Sequence, residues 1–338
     1  MAEYASSLLS PFDAGFGLLK EAVDAGRIPG GVFGMIDRDG HRLTRAIGHA
    51  QKVGDDRPMM LDTWFDLASL TKVIFTTRKV LELAVAGLID LDSPVTTLIP
   101  DFRQYAADCW ERKVTFRQCV GHQTPFPAVE PIYTYGDDPD RLRAFVLQRE
   151  WRHSEPTYSD INYILLGIAL ERLTGKRIRE MHPGAGFAFH GEPSNTAATE
   201  FCTWRNRMIC GEVHDENCYA LQGSGHAGLF GTVDAVLDNA HSLLDGNEAG
   251  DPVVKLMRQP LSAKRTHGWE RSYDGWSGGA RCNDSVIGHT GFTGTGLWVD
   301  FAKGRAWTLL TNRVHPSRHV DSGIFVLRAA IGDMINTH

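Results

Sequence analysis

The chain has 338 residues, of which 42% are hydrophobic and 22% are charged, the composition of a globular protein with a large core. Its net charge of −6 and its pI near 6.2 argue against a nucleic-acid partner, which would require a basic face. No apolar run approaches the roughly 18 residues that span a membrane, so we expect no membrane partner either.

The N-terminal segment, residues 1–9, lacks the basic stretch and apolar core of a secretory signal, which predicts a cytoplasmic protein unless a signal has been removed. The six cysteines form no C-x-x-C pair and are interpreted as reduced core thiols. Cys202, Cys210 and Cys218 lie near His182, His190 and His214, so a zinc site is an alternative. Structural zinc ligands usually lie two to four residues apart, and this spacing is missing. We therefore expect no metal.

The predicted elements place strands at both ends of the chain and helices between them. A turn at Asp39-Gly40 gives a hairpin signal. Residues 160–174 form a strongly apolar helix with Ser159 or Asp160 as its cap and Gly175 as its stop. In chain order we predict a helix over 12–25, strands over 31–36 and 41–47, a buried helix from Ser69 to Ala86, helices over 115–120, 140–148, 160–174 and 232–245, strands over 295–301 and 306–312, and a helix over 321–336.

This order predicts an α/β (α+β) fold in which N-terminal and C-terminal strands form one central antiparallel sheet flanked by helices, with an inserted all-α region. The absence of an interdomain linker favours a single composite domain over residues 1–338. We expect its α/β part at about 1–70 and 226–338. The mainly helical and loop part should cover about 71–225, with a loop-rich stretch over 184–225.

The stretch Ser69-Leu70-Thr71-Lys72 can bring a nucleophile and a base together. Residues three apart share a helix face, so we expect Ser69 Oγ and the Lys72 amine within hydrogen-bonding reach. A serine hydroxyl is a poor nucleophile until an adjacent base activates it. At the first turn of a helix the Ser69 N–H would also be unpaired. The alternative for this short pattern is an ordinary helix start with a solvated lysine.

Two further patterns follow in order, Tyr158-Ser159-Asp160 before the apolar helix and His289-Thr290-Gly291 near the C-terminal strands. With Ser69 and Lys72 they resemble the motif set of the serine β-lactamase and penicillin-binding-protein superfamily. The Tyr-x-Asp and His-Thr-Gly variants are similar to the class C β-lactamase branch, with its D-Ala-D-Ala carboxypeptidase, esterase and D-aminopeptidase relatives. The resemblance runs from about residue 30 to the C-terminus and implies a β-lactamase/transpeptidase-like fold.

The resemblance implies catalytic roles. Ser69 would be the nucleophile, and Lys72 and Tyr158 would be its proton-transfer pair. The pKa of tyrosine is ordinarily near 10, and a nearby Lys72 ammonium would lower it. Which member takes the serine proton stays open, because the pair titrates as a unit. The backbone N–H groups of Ser69 and Phe292 would form the oxyanion hole. Tyr135-Gly136-Asp137 also spells Tyr-x-Asp, but its surroundings favour a surface loop.

The resemblance also implies substrate contacts at the second and third motifs. Asp160 stands where β-lactamases commonly have asparagine, and it would pair with Lys72 or cap the helix. His289 replaces a lysine and is mostly neutral at pH 7, which disfavours strong β-lactamase activity. An alternative for His289 is a structural role at the strand edge. Thr290 and Gly291 complete this expected substrate-binding set.

His226 falls where family members have an aromatic residue that forms a wall of the acyl pocket, so we expect its ring to face the substrate. A satisfied buried histidine is the alternative. His214, Asp215 and Asn217 either line the same cleft or serve in loop packing.

A competing nucleophile is Ser277, because Gly275-Trp276-Ser277-Gly278-Gly279 matches the G-x-S-x-G elbow of α/β-hydrolases. That elbow requires a strand before it and a helix after it, and turn-forming residues follow Ser277 instead.

We therefore predict a serine hydrolase that acts through an acyl-enzyme on a small-molecule ester or amide, without a cofactor. A carboxylic-ester hydrolase is the first choice. An amidase or D-aminopeptidase, a D-Ala-D-Ala carboxypeptidase or a weak β-lactamase is the enzymatic alternative. A catalytically inactive relative that binds a ligand or a protein is the alternative of another class. The sequence leaves the physiological substrate and the oligomeric state open.

Overall fold

The structure, a computed structural model, describes residues 4–337. Residues 1–3, which begin the segment interpreted as leaderless, lie outside this range. No helix within residues 4–337 combines the length and the apolar character needed to cross a lipid bilayer.

Runs of consecutive strands lie near both ends of the described chain, with one helix at each end. The strands are β1 (Gly30–Asp37), β2 (Arg42–Gln51), β3 (Arg57–Pro58), β4 (Phe65–Asp66), β5 (Phe187–Ala188), β6 (Phe201–Cys202), β7 (Arg207–Met208), β8 (Phe230–Gly231), β9 (Glu270–Arg271), β10 (Val286–Thr290), β11 (Gly296–Asp300) and β12 (Arg305–Thr311). The α-helices are α1 (Tyr4–Asp24), α2 (Thr77–Val85), α3 (Phe116–Val120), α4 (Pro139–Gln148), α5 (Asp160–Thr174), α6 (Glu216–Ala220), α7 (Val233–Ala249), α8 (Pro252–Arg258) and α9 (Ile324–Thr337).

The central sheet has seven antiparallel strands in the order β3-β2-β1-β12-β11-β10-β9. β1 and β12 lie side by side at its centre, with Phe33 opposite Leu309, so the two ends of the chain build one sheet. This confirms the predicted fold class. Helices α1 and α9 pack together beside one face, and α7 contacts β1, β11 and β12. Almost every residue of β1 and β12 is therefore buried.

Several predicted elements are confirmed with small shifts in their ends. The predicted helix over 160–174 is α5, where the Ser159 hydroxyl accepts from the Ile161 N–H and Gly175 ends the helix in the left-handed conformation. α1 begins earlier than predicted, because its apolar stripe already starts at Leu8 and continues through Phe12 to Leu19. The terminal helix begins at Ile324, three residues later than predicted.

The helix after Ser69 differs from the regular α-helix that the sequence predicted. Helical structure begins at Leu70, residues Lys72–Thr76 form a π-helical turn, and α2 follows. The side chains of this turn are buried, whereas those of the second half of α2 are mostly only partly buried. Thr76 donates to the Gly225 carbonyl at 2.6 Å from within the turn. Single π-turns inside helices are frequent at functional sites, and this one presents Lys72 to the Ser69 side chain.

Candidate active site

Ser69 lies in the turn between β4 and the first helical residue, Leu70, and is partly exposed to a cleft. Ala68, just before it, has a φ of +47°, a conformation that non-glycine residues rarely adopt. Two hydrogen bonds hold this residue, because Asp66 accepts from the Ala68 N–H at 2.8 Å and Thr71 donates to the Ala68 carbonyl at 2.6 Å. The turn is thus fixed in a strained geometry, as often occurs where a side chain must be aimed.

Lys72 is fully buried, and its amine meets three acceptors. It donates to Ser69 Oγ at 2.8 Å and to the His226 carbonyl at 2.9 Å, and it pairs with Asp160 Oδ1 at 2.8 Å. Burial alone would lower the pKa of Lys72, but the attraction of Asp160 and Tyr158 outweighs it and raises that pKa above its ordinary value. Lys72 is therefore an ammonium in the resting site, where all three of its protons can be donated.

Tyr158 lies beside this pair at the residue before the cap of α5. Its phenol interacts with both Lys72 and Ser69. One side of its ring contacts the His122 ring, with 4.3 Å between centroids, and both the Lys72 amine and the Arg265 guanidinium lie 5.1 Å from its centroid. Burial raises the pKa of Tyr158, although Lys72 opposes the rise. Lys72 has the lowering effect on the pKa of Tyr158 that the sequence predicted, but the raising effect of burial is larger.

Hydrogen bonds join the turn that follows β10 to the segment that precedes Ser69. Thr293 donates to the Asp66 carbonyl at 2.7 Å, and Thr295 donates to the Leu67 carbonyl at 3.0 Å. Gly291 lies so close that a Cβ there would be 2.5 Å from the Leu67 carbonyl oxygen. Within residues 4–337 the backbone N–H groups of Ser69 and Phe292 donate to no other group. Two free N–H donors on two adjoining turns are the arrangement that an oxyanion hole requires.

These residues surround a cleft of about 630 Å³. Ser69 and Tyr158 lie on its wall together with four of the five residues expected to bind substrate, namely Asp160, His289, Thr290 and Gly291. Substrate contact itself stays a prediction. The other lining residues include His214, Asp215 and Asn217, which the sequence left between the cleft and loop packing. All three line the cleft, and Asn217 also serves in loop packing, because its side chain bonds the backbone of Tyr133 and Glu130.

His289 is buried and neutral. Its Nδ1 lies 3.0 Å from the Thr290 carbonyl, an acceptor, so the ring proton belongs on Nδ1. Burial, followed by repulsion from Arg265 and Lys72, lowers the pKa of His289 well below its ordinary value. The imidazole therefore does not reproduce the fixed positive charge of a lysine at this position.

His226 is arranged differently from the expectation of a ring that faces the substrate. Its ring is buried, with Nε2 at 2.8 Å from Asp215 and Nδ1 at 2.9 Å from Ser224 Oγ. The backbone carbonyl of His226, rather than its side chain, reaches Lys72. The alternative of a satisfied buried histidine describes its ring.

Two alternative residues lie away from Ser69. The Tyr135 phenol donates to Glu130 at 2.9 Å and its ring stacks on Phe145, outside the cleft lining. Ser277 Oγ accepts from the buried Trp298 indole at 3.3 Å and is likewise absent from the cleft wall.

Among residues 4–337, one group that could bind a metal ion lies at the cleft wall, where one ligand atom each from Asp160, Asp215 and the buried His226 lie within 4.8 Å of one another. Asp160 is paired with the Lys72 ammonium and Asp215 with His226, so these groups already satisfy one another. The geometry fits an ion-pair network better than a metal site, because a cation there would compete with the Lys72 ammonium.

A family model described as Beta-lactamase matches residues 17–330. The chain belongs to the β-lactamase family. Members of this family are serine hydrolases, and this chain has the antiparallel sheet and helical layers of their fold. The predicted kinship with β-lactamases and penicillin-binding proteins is thereby confirmed.

The chain is similar to curated proteins and solved structures that are described with different activities. It is 29% identical to an N-acetylmuramyl-L-alanine amidase of Bacillus subtilis (strain 168), over 88% of this chain and 80% of the relative. A putative D-alanyl-D-alanine carboxypeptidase of Salmonella agona (strain SL483) is 28% identical over 83% of this chain and 78% of the relative. EstCE1, a hydrolase with promiscuous acyltransferase activity, superposes with a TM-score of 0.73 at 20% identity, covering 97% of this chain and 99% of that one. A β-lactamase from Sulfitobacter sp. EE-36 gives a TM-score of 0.74 at 18% identity, covering 97% and 98%.

Sequence reasoning missed three residues of this site. Arg265 contacts the Tyr158 ring, His122 packs against that ring, and Arg328 reaches the end of β10 from α9. None of them belongs to a local pattern. A single histidine or arginine far along the chain gives no signal of its own.

Proposed function

We propose that this chain hydrolyses carboxylic esters through an acyl-enzyme formed on Ser69. The observation that carries the proposal is the 2.8 Å hydrogen bond between Lys72 Nζ and Ser69 Oγ, with the Tyr158 phenol beside both groups. A nucleophile within reach of a proton-transfer group is the geometry that nucleophilic catalysis requires.

In the first step Ser69 Oγ attacks the ester carbonyl carbon while its proton moves to the Tyr158–Lys72 pair. The acceptor is Tyr158 in its phenolate form, after the phenol has given its proton to solvent, because Asp160 holds Lys72 as an ammonium that cannot accept a proton. The Lys72 ammonium and the Arg265 guanidinium stabilise the phenolate that accepts it. The carbonyl oxygen becomes an oxyanion that accepts from the Ser69 and Phe292 N–H groups.

The tetrahedral intermediate then breaks its bond to the leaving oxygen. That oxygen takes the proton from Tyr158 and departs as an alcohol, leaving the acyl group on Ser69. In the second half a water molecule gives its proton to Tyr158 and attacks the acyl carbon. The carboxylic acid departs, and the proton returns to Ser69 Oγ, which restores the resting site.

An ester fits this site better than a β-lactam for two reasons. His289 is neutral and offers no fixed cation to a lactam carboxylate. Asp160 carries a carboxylate where an asparagine amide would donate to a substrate amide carbonyl. EstCE1, a hydrolase with the same fold, supports this choice by analogy alone.

Amide hydrolysis is the second candidate. The relatives at 28–29% identity are described as an amidase and as a putative carboxypeptidase. Arg313 lines the cleft and forms no ion pair within residues 4–337, so it is available to a substrate carboxylate. The complete set of Ser69, Lys72 and Tyr158 argues against an inactive binding protein.

The test is the intact mass of the protein after brief exposure to a p-nitrophenyl short-chain ester. We expect a gain of one acyl group with release of p-nitrophenol, both lost in Ser69→Ala. Ser277→Ala is the matched control, because Ser277 is the competing nucleophile that the G-x-S-x-G pattern offered but lies outside the cleft. Equal acylation of wild type and Ser69→Ala would refute the proposal. Turnover of a D-alanyl amide at a higher kcat/KM than any ester would favour the amidase alternative.

A further inference from the structure

Arg328 joins the terminal helix α9 to the end of β10. Only 3% of its surface is exposed, and its Nη2 donates to the Gly291 carbonyl at 2.8 Å and to the Thr295 carbonyl at 2.7 Å. Gly291 and Thr295 flank the turn that carries Phe292. The guanidinium thus bridges the two ends of this turn, and part of the residue reaches the cleft wall.

The Gly291 carbonyl and the Phe292 N–H belong to the same peptide group. A donor on the carbonyl oxygen of a peptide polarises that peptide and strengthens the hydrogen bonds that its N–H donates, by about 10–30% per bond. The contact also fixes the plane of the peptide, and therefore the direction of the Phe292 N–H. Arg328 acts on the oxyanion-hole donor through this one peptide.

The charge of Arg328 is not balanced in the resting site. Within residues 4–337 no carboxylate lies within ion-pair distance of it, and its partners are two neutral carbonyls. Burial, with repulsion from Arg313, lowers its pKa to about 9. A buried cation without a carboxylate is costly to keep, and a neutral donor would satisfy the same carbonyls. A negative charge that forms nearby during the reaction would give this cation its counter-charge.

We propose that Arg328 is a positioning residue that orients and polarises the Gly291–Phe292 peptide, so that its N–H stabilises the oxyanion more than it stabilises the bound ester. This inference rests on the proposed acyl-enzyme function. It differs from a purely structural role in one respect: it affects the transition state more than the ground state.

The test compares Arg328→Met with Arg305→Met. Arg305 is a matched control, since it is also buried and also donates to a backbone carbonyl, that of Ile335 in α9, at 2.6 Å. It is the first residue of β12, at the end of that strand away from Gly294–Gly296. The readouts are kcat and KM for a p-nitrophenyl ester, the thermal midpoint, and the Kd of phenylboronic acid. The boronic acid bonds to Ser69 Oγ with loss of one proton and places an anionic tetrahedral group at the oxyanion position.

For Arg328→Met we expect kcat to fall by about 10- to 100-fold, somewhat less than the loss of a direct oxyanion donor. KM should change by less than about threefold, and the Kd of phenylboronic acid should rise by about the factor by which kcat falls. Arg305→Met should keep the wild-type kcat even if its thermal midpoint drops equally. If Arg328→Met does not fold, Arg328→Lys carries the test, with about a 3- to 10-fold loss in both quantities.

The inference is overturned if folded Arg328→Met or Arg328→Lys keeps the wild-type kcat and boronic-acid affinity, or if Arg305→Met loses as much of both. These outcomes are separate from a failure of the proposed function. That function fails if Ser69→Ala still hydrolyses the ester, whatever the arginine variants do.

Discussion

Gly291→Ala should disable catalysis by moving the two halves of the oxyanion hole apart. The glycine has no unusual φ, so alanine is acceptable to the backbone and the effect is one of space alone. A Cβ at this position would be 2.1 Å from Thr295 Oγ1 and 2.5 Å from the Leu67 carbonyl oxygen, whereas ordinary contacts begin near 3.4 Å. Relief of the second contact requires a shift of about 1 Å (3.4 − 2.5 Å).

That shift falls on the backbone two residues before Ser69. A misplacement of about 1 Å can cost about 10²-fold in rate, and the loss of one oxyanion donor costs about 10²–10³-fold. We therefore expect kcat for a p-nitrophenyl ester to fall by about 10²-fold. Overpacking of this kind should also lower the free energy of unfolding by about 1–3 kcal/mol.

Gly288→Ala provides the control. It lies in β10, three residues before Gly291, and its Cβ would be 2.2 Å from Trp298 Cδ1, so it adds a comparable clash. Because the clash meets a buried indole rather than the turn before Ser69, we expect a loss of stability with kcat within about fivefold of wild type. A folded Gly291→Ala protein with wild-type kcat would refute the oxyanion-hole geometry.

Three further predictions follow from the same site. Asp160→Asn removes the anion that raises the pKa of both Lys72 and Tyr158, so both pKa values should fall. In a pH–rate profile, the alkaline rise of kcat/KM should therefore move to lower pH by about one unit, and a shift to higher pH would contradict this prediction. Burial lowers the pKa of His122 and His289 well below the unfolded value near 6.5, so below that pH the unfolded state binds more protons than the folded state. The free energy of unfolding, measured by urea denaturation, should therefore decrease as the pH is lowered below 6.5, by up to about 1.4 kcal/mol per pH unit for each histidine. An equally steep decrease in His289→Gln would count against this prediction. Phe292→Ala keeps the backbone N–H and loses only ring contacts, so kcat should fall less than about tenfold, and a loss as large as that of Gly291→Ala would argue for a role of the ring.

The sequence predicted the elements that depend on local patterns. Alternation gave the two hairpins, and the Ser159 cap with the Gly175 stop gave both ends of α5. The spacing of Ser69 and Lys72 predicted their contact, and the hydrogen bond is present even though a π-helical turn begins at the lysine. The contact survives because Ser69, in the preceding turn, still lies within one helical turn of Lys72.

Long-range packing explains what the sequence could not predict. Lys72 donates to the His226 carbonyl, 154 residues away, and nothing local to either residue indicates that approach. The pKa of Tyr158 depends on how deeply the fold buries it, which outweighs the effect of the neighbouring lysine. Arg265 and Arg328 reach the site from segments that carry no motif. Electrostatics in a buried site is therefore the part of the function that motif spacing leaves undetermined.

Charge is distributed unevenly around the cleft. Each carboxylate on its wall faces a basic group, in the pairs Asp160–Lys72, Asp215–His226, Glu216–Arg318 and Glu270–Arg265. Within residues 4–337 the lining arginines Arg313 and Arg328 have no such partner, and both contact the backbone around Phe292. Positive charge is thus in excess beside the proposed oxyanion hole before any substrate binds. A neutral ester gains little from that excess, whereas the oxyanion gains its full attraction. Under the proposed function, the same residues would bind the transition state more tightly than the substrate, which is the condition for a higher kcat rather than a lower KM alone.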